Sequence, residues 1–353
     1  MQHSSSQTTR RHRPCGVYRS AFAACAALLL GSATACGDAA MPTTNATDGE
    51  REPIEVVTTV APITSIAAAV IGDEAQITGI VPEGTNSHTF EPRPSDAEAL
   101  ESADIVFMNG LQLEEPTKEL AEEVVDEGTP IVELADATIT EDEWIYDVSF
   151  PEEGGKPNPH LWTDPPLAAR YAEVIRDEMI ELDPERSARY EENTAAFLDQ
   201  VDEFDAALRT AFATIAEDRR TLLTYHDAYA YFARDYGFEV IGAIQPSTFD
   251  DPTPSEVADL IDQVEASDVA AIFGSEVFPS PVLEQIGRET GVRYVDVLRD
   301  DDLPGAPGDA EHSWYGLMRF DYETITDALG GDSSALRALD TTPAVTDSAR
   351  YPQ

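Results

Sequence analysis

A chain of 353 residues with 42% apolar content can bury cores for two domains of ordinary size, which excludes global disorder. Its net charge is −46, and because the first 35 residues hold four arginines and no acid, the remainder carries −50. A nucleic-acid or anionic-membrane surface needs clustered Lys and Arg, so those partners are excluded and the acidic surface reads as a solvating one.

The chain opens on an export signal: Arg10, Arg11, Arg13 and Arg19, then an apolar segment over 21–30, then Gly31-Ser32-Ala33-Thr34-Ala35-Cys36. The apolar segment is too short to be a stable membrane-spanning helix. Two processing outcomes fit these letters. Small residues ending at Cys36 resemble a bacterial lipobox, in which that Cys becomes the lipidated first residue; Ala33-Thr34-Ala35 also forms an A-x-A site for ordinary signal peptidase. The lipidated outcome is preferred because Cys36 is the only cysteine left after cleavage. Cys15 and Cys25 leave with the signal, so the exported protein has no intrachain disulfide. Residues 1–35 are therefore the signal and 36–53 a flexible tether rich in Ala, Thr, Asp and Gly.

From Ile54 the pattern is α/β. IEVVTTVAP reads as a buried strand, PITSIAAAVIG as a helix ending at Gly72, and AQITGIVP as a second strand. A loop over 83–94 holds His88, and Ser95-Asp96-Ala97-Glu98 has the S-x-x-E spacing of a capping box. DIVFMNG and PIVEL supply two more strands around a helix over 114–127. Short apolar strands alternating with helices imply a parallel sheet covered on both faces. The stretch 136–159, acidic and rich in Gly and Pro, reads as an irregular loop, and a helix over 166–182 stops at Asp183-Pro184.

The run 184–217 is the longest uninterrupted pattern. Tyr190, Phe197, Val201, Phe204, Leu208, Ala211 and Ile215 keep one stripe of a helix apolar while Glu191, Glu192, Asp199, Asp202 and Arg209 face water. Such a helix, roughly 50 Å at about 1.5 Å per residue, is too long for a simple crossover within one small sheet, and reads as a strut between two lobes. Beyond it the α/β rhythm resumes: TLLTYH, FEVIGAI, VAAIFGSE and RYVDVL as strands, a Pro-rich loop after FEVIGAI, a helix capped by Thr253-Pro254-Ser255-Glu256, an acidic loop over 300–311, and a last helix over 313–329. The fold class is thus α/β, two lobes each built on a mostly parallel sheet flanked by helices and joined by one long rigid helix. The expected boundaries are 54–183, 184–218 and 219–332, with a loosely held tail over 333–353.

Histidine narrows the search for chemistry. Of six, His3 and His12 belong to the signal. His88 follows a strand, His160 sits in a Pro-flanked loop, His226 closes TLLTYH, and His312 precedes the last helix as a capping or surface residue. In open parallel sheets functional groups collect at the carboxyl ends of strands. Neutral imidazole suits zinc and related divalent ions, and three His with one carboxylate complete a four-coordinate shell. The carboxylate candidates are Asp296 first, then Asp300, Asp301 and Asp302, the last three reading better as an acidic turn. A closed shell leaves no vacancy for a water nucleophile, which favours carrying a metal over using it. A zinc hydrolase would also need a motif such as H-E-x-x-H, which the chain lacks.

Three local motifs carry a resemblance over residues 54 to about 330: His88-Thr89-Phe90-Glu91-Pro92-Arg93-Pro94-Ser95-Asp96, Asn158-Pro159-His160-Leu161-Trp162-Thr163-Asp164-Pro165, and Thr224-Tyr225-His226-Asp227-Ala228-Tyr229-Ala230-Tyr231-Phe232. They are similar to the motifs of the metal-binding receptors of bacterial ABC importers for zinc and manganese, cleft-type solute-binding proteins with two lobes on one long helix. The resemblance implies metal ligands at His88 and His160 from the first lobe and His226 from the second. It also implies a fourth at Asp296, where Asp296-Val297-Leu298 stands for the family's D-S-L-like turn, with Val departing from Ser. Members with His at the third position tend to handle zinc and members with Glu manganese. The implied function is capture of Zn²⁺, alternatively Mn²⁺, as cargo by a monomer lipid-anchored at the outer face of the cytoplasmic membrane, and delivery to an ABC permease. The loop 136–159 lacks the histidine tract of many zinc-specific relatives. A surface adhesin or structural lipoprotein is the alternative from another class.

Overall fold

The computed structural model describes residues 53–147, 149–243, 253–267, 269–275 and 281–352. The export signal, Cys36, the tether up to residue 52 and the Pro-rich loop over 244–252 lie outside the described residues. The first lobe contains β1 (Glu55–Thr58), α1 (Ala61–Ile71), β2 (Gln76–Gly79), α2 (Pro94–Glu101), β3 (Ile105–Met108), α3 (Glu115–Val124), β4 (Ile131–Glu133), α4 (Leu134–Thr138) and α5 (Pro165–Leu182). Helix α6 (Ser187–Phe212) joins it to the second lobe: β5 (Thr221–Thr224), α7 (Ala230–Tyr236), β6 (Glu239–Ala243), α8 (Pro254–Ser267), β7 (Ala271–Ser275), α9 (Pro281–Thr290), β8 (Arg293–Leu298) and α10 (Trp314–Ala328), followed by α11 (Ser334–Arg337).

Each lobe holds a four-stranded, all-parallel sheet, in the orders β2-β1-β3-β4 and β6-β5-β7-β8. In both, the first strand lies inside the sheet with crossovers leaving to either side, so the chain reverses direction between β1 and β3 and between β5 and β7. Crevices form outside the carboxyl ends of strands at such switch points. Buried strands such as Ile105–Met108 have no polar face because helices cover both sides of the sheet.

Helix α6 buries Tyr190, Phe197, Val201, Phe204, Leu208 and Ala211, the stripe expected from periodicity, against α1, α5, α10 and α11. Its 26 residues make a rod of about 39 Å. Trp314 meets Phe197 edge-on at 5.4 Å between ring centroids, and Tyr315 meets Phe204 at 5.3 Å. One hydrophobic core accordingly runs from the first lobe through α6 into the second.

Two local expectations are corrected. Ser95 and Glu98 do not form a capping box, because α2 starts one residue earlier, at Pro94; Asp96 instead accepts from the Arg93 backbone N–H at 2.6 Å. At α8 the box does form, with Thr253 N–H donating to Glu256 Oε2 at 2.7 Å. The tail is also not loosely held. Arg350 pairs with the edge of β2, its carbonyl accepting from Gly79 N–H and its own N–H donating to the Ile77 carbonyl, both at 2.9 Å. The tail thus crosses from α10 to extend the first lobe's sheet. No helix among the described residues is long and apolar enough to cross a membrane.

Candidate metal centre

His88 lies on a 3₁₀ turn in the β2–α2 connection, where Asn86 Oδ1 accepts from its backbone N–H at 2.9 Å and fixes the turn. His160 opens a second 3₁₀ turn ahead of α5, and His226 follows the carboxyl end of β5. The structure brings these three together: Nε2 of His88 is 3.2 Å from Nε2 of both His160 and His226, and the latter two are 2.9 Å apart. His160 and His226 are buried and His88 half-buried. His312 stands apart, buried with Nε2 3.0 Å from Glu83 Oε1 and its ring edge-on to Tyr351, while Ser313 caps α10.

The electrostatics keep the centre ready for a cation. Burial first, and then neighbouring imidazoles, hold the His88 and His160 rings well below the usual histidine range, so both are neutral near pH 7. Asn158 settles the tautomer of His160. Its amide nitrogen donates to Asp147 Oδ2 and to the Asp227 carbonyl, both at 2.8 Å, so its oxygen faces His160 and accepts from Nδ1 at 2.8 Å. With the proton on Nδ1, Nε2 presents a lone pair to the centre. Behind Asn158, Asp147 and Asp227 form a close carboxyl pair, both pushed up chiefly by burial. Phe150 and Trp162 rings flank the imidazoles and keep the surroundings apolar.

This donor set fits a tetrahedral metal. Metal–nitrogen distances of about 2.0–2.1 Å separate neighbouring ligand nitrogens by about 3.3 Å, close to the spacing observed. Without a cation, nitrogen lone pairs that converge at this distance repel one another.

Asp296 is not brought to the group; it is exposed on β8. Among the described residues the metal-ligating group consists of the three histidines, and the acids that contact the residues flanking them are those of the next turn. Both Asp302 carboxylate oxygens accept from Gly84 N–H, at 2.8 and 2.9 Å, and Asp301 Oδ2 accepts from Ser87 Oγ at 2.5 Å. The Asp300 carbonyl accepts from Trp162 Nε1 at 3.0 Å. This turn of the second lobe is therefore clasped to the residues flanking His88 and His160. Asp301 is buried, burial pushes its carboxyl up to about 7, and its Oδ1 has no hydrogen-bond partner. The signal that would have found it is Asp301-Asp302-Leu303, which keeps a polar residue at the middle of the D-S-L-like turn where Asp296-Val297-Leu298 does not.

The wall beside His88 is unusual in backbone. Gly110, Leu111 and Gln112 all have positive φ, at 86°, 48° and 61°. Two consecutive non-glycine residues there cost on the order of 1–2 kcal/mol each. The Asp136 carboxylate holds the turn by accepting from Leu111 N–H at 2.8 Å, and Asn109 ties it to the histidine loop by donating to the Pro159 carbonyl at 2.8 Å.

Two parallel-sheet lobes on one long helix, with three neutral-type donors converging where they meet, define a cleft-type metal-binding protein. The family model described as "Zinc-uptake complex component A periplasmic" matches residues 56–328, and the chain belongs to that family. Its members are substrate-binding proteins of metal transporters, not enzymes. The chain is 29% identical over 296 residues to the manganese-binding lipoprotein MntA of Halalkalibacterium halodurans, covering 84% of this chain and 94% of that protein. It is 29% identical over 292 residues to the iron-binding protein YfeA of Yersinia pestis, covering 83% and 91%. Among solved structures, the periplasmic zinc binding protein TroA from Treponema pallidum superposes with a TM-score of 0.71 at 26% identity, covering 79% of this chain and 99% of that one.

Proposed function

We propose that this chain is an exported receptor that captures Zn²⁺ between its lobes and hands it to an ABC permease, held to the outer face of the cytoplasmic membrane by a lipid on Cys36. The observation that carries the reading is the convergence of His88, His160 and His226 through Nε2 within 3.2 Å. Three imidazole donors favour zinc over the harder manganese, which prefers oxygen. The orphaned, buried Oδ1 of Asp301 supports that residue, rather than Asp296, as the fourth donor. Ligands from both lobes make release a matter of separating them: a small shift of the 300–302 turn and His226 away from the first lobe dismantles the shell. A single stiff helix restricts larger hinge closure.

Mutating His88, His160, His226 or Asp301 to Ala is expected to weaken zinc binding by more than about 100-fold in competition titration, beyond the cost of losing an outer-shell partner. Far-UV circular dichroism of the apo protein should hold. Unaltered affinity in all three histidine variants overturns the metal site. Because affinity order favours zinc at most nitrogen sites, cargo is tested separately: growth of a deletion strain under metal limitation should be rescued by zinc, and rescue by manganese alone overturns the choice of ion.

A further inference from the structure

His88 belongs to a second feature, a cavity of about 200 Å³ in the first lobe whose lining includes Gln112, Ser149, Phe150 and Lys156. A water needs about 10–15 Å³ on that scale, so the space admits an organic molecule rather than a few solvent molecules. Three observations bear on its chemistry. The first is Lys156. The chain has only two lysines, and the other, Lys118, is engaged by Glu133 at 2.8 Å. No carboxylate lies within ion-pair distance of Lys156 among the described residues, although the chain has 68 acids. Lys156 lines the same cavity as His88. A site for a bare cation gains nothing from the lysine's charge, whereas a site for an anion does. The second is the left-handed turn, which puts Leu111 and Gln112 on the cavity wall in a strained backbone conformation, of the kind that clusters at ligand clamps. The third is Ser149, which is buried on the same wall with no hydrogen-bond partner for its hydroxyl.

We infer that this cavity binds a small organic hydroxycarboxylate that arrives with the metal and sits beside it, outside the four-ligand shell, so that the cargo is an ion accompanied by its carboxylate rather than the bare ion. The inference rests on the metal-receptor reading above. Lys156 neutralises a carboxylate, Gln112 and Ser149 supply neutral donors, and Leu111, Phe150 and the prolines of the 151–159 loop cover a carbon skeleton. Those apolar walls favour an organic acid over inorganic phosphate. The anion lies next to His88, where its charge offsets that of the bound cation.

Equilibrium dialysis of radiolabelled citrate against the full chain loaded with equimolar zinc in a non-coordinating buffer tests this. The expected result is about one citrate retained per zinc-loaded chain and far less on the apo protein. Lys156→Gln should lose citrate affinity by roughly tenfold or more, the worth of a charge-assisted hydrogen bond. The same variant should bind zinc more tightly in citrate-free buffer, because a like charge has left the surroundings; a merely structural role would weaken both. Gln112→Gly should lose citrate without a lower melting temperature, since glycine adopts the left-handed conformation freely. No citrate retained on the zinc-loaded chain, citrate that only strips the metal, retention unchanged in both variants, or retention of labelled phosphate in place of citrate each overturns the inference and leaves the zinc receptor standing. A chain that binds no zinc overturns both.

Discussion

Asn158 decides how His160 meets a metal. It is fully buried, spends both amide protons on Asp147 and the Asp227 carbonyl, and accepts from His160 Nδ1 with what remains. Asn158→Ala removes the partner that fixes tautomer and ring angle while leaving all proposed ligands in place. Zinc affinity should fall by about 10–100-fold, as for outer-shell partners elsewhere, with the apo fold retained; a loss below about threefold in competition titration would show that packing by Trp162 alone orients the ring. At this scale the histidines were legible because each stands in a local motif beside Pro, Trp or Tyr. The fourth donor was not. Asp296 ends a plausible strand pattern, but alternation turns its side chain to solvent on β8, and the chain reaches the cleft only four to six residues later. In a chain with 68 acids, nothing local marks three consecutive carboxylates as buried.

Among the elements, α6 was legible almost to its ends because a seven-position apolar stripe has few other uses. The pattern overshoots: Ile215 stays buried although the helix closes at Phe212, since the following turn folds back on the same core. The tail was not legible because its attachment is made by backbone groups, which leave no side-chain pattern. It caps the exposed edge of β2, where unpaired N–H and C=O groups would otherwise face solvent. Gln200 adds a side-chain bond to the Thr342 carbonyl at 3.1 Å, Ser348 one to the Gly72 carbonyl at 3.1 Å, and Tyr351 packs on His312. Deleting residues 341–353 should therefore cost roughly 2 kcal/mol, from a few hydrogen bonds and the buried face of Tyr351, and lower the melting temperature by about 3 °C. An unchanged melting temperature would mean that the strap closes only after the rest of the fold is secure and adds nothing to it.

Across the whole molecule, the two lobes and the strut meet again at a second group of charges away from the histidines. Asp164 at the start of α5, Asp205 on α6 and Asp235 on α7 approach one another with Arg234, which is 3.8 Å from Asp164 Oδ2, and Arg209, which is 2.9 Å from Asp205. Tyr236 donates to Asp205 at 2.5 Å beneath the Arg209 guanidinium, and Tyr322 faces Asp164 from α10. Burial above all, then Asp235, pushes the Asp164 carboxyl up to about 8. An unfolded Asp titrates near about 3.9, so between about pH 4 and about pH 8 the folded chain holds a proton that the unfolded chain has released. The corresponding stability is fully present below about pH 4 and is lost as pH rises through about 8. Asp164→Asn keeps the shape and removes that titration. In urea unfolding the variant should match the parent near about pH 4 and exceed it at about pH 8 by on the order of 1–3 kcal/mol. The slope should flatten rather than vanish, because Asp227, Asp300 and Asp301 are raised by burial and contribute with the same sign. Equal slopes in parent and variant would show that Arg234 keeps Asp164 ionised in the folded chain, and that the joint between lobes is held by an ion pair rather than by a shared proton.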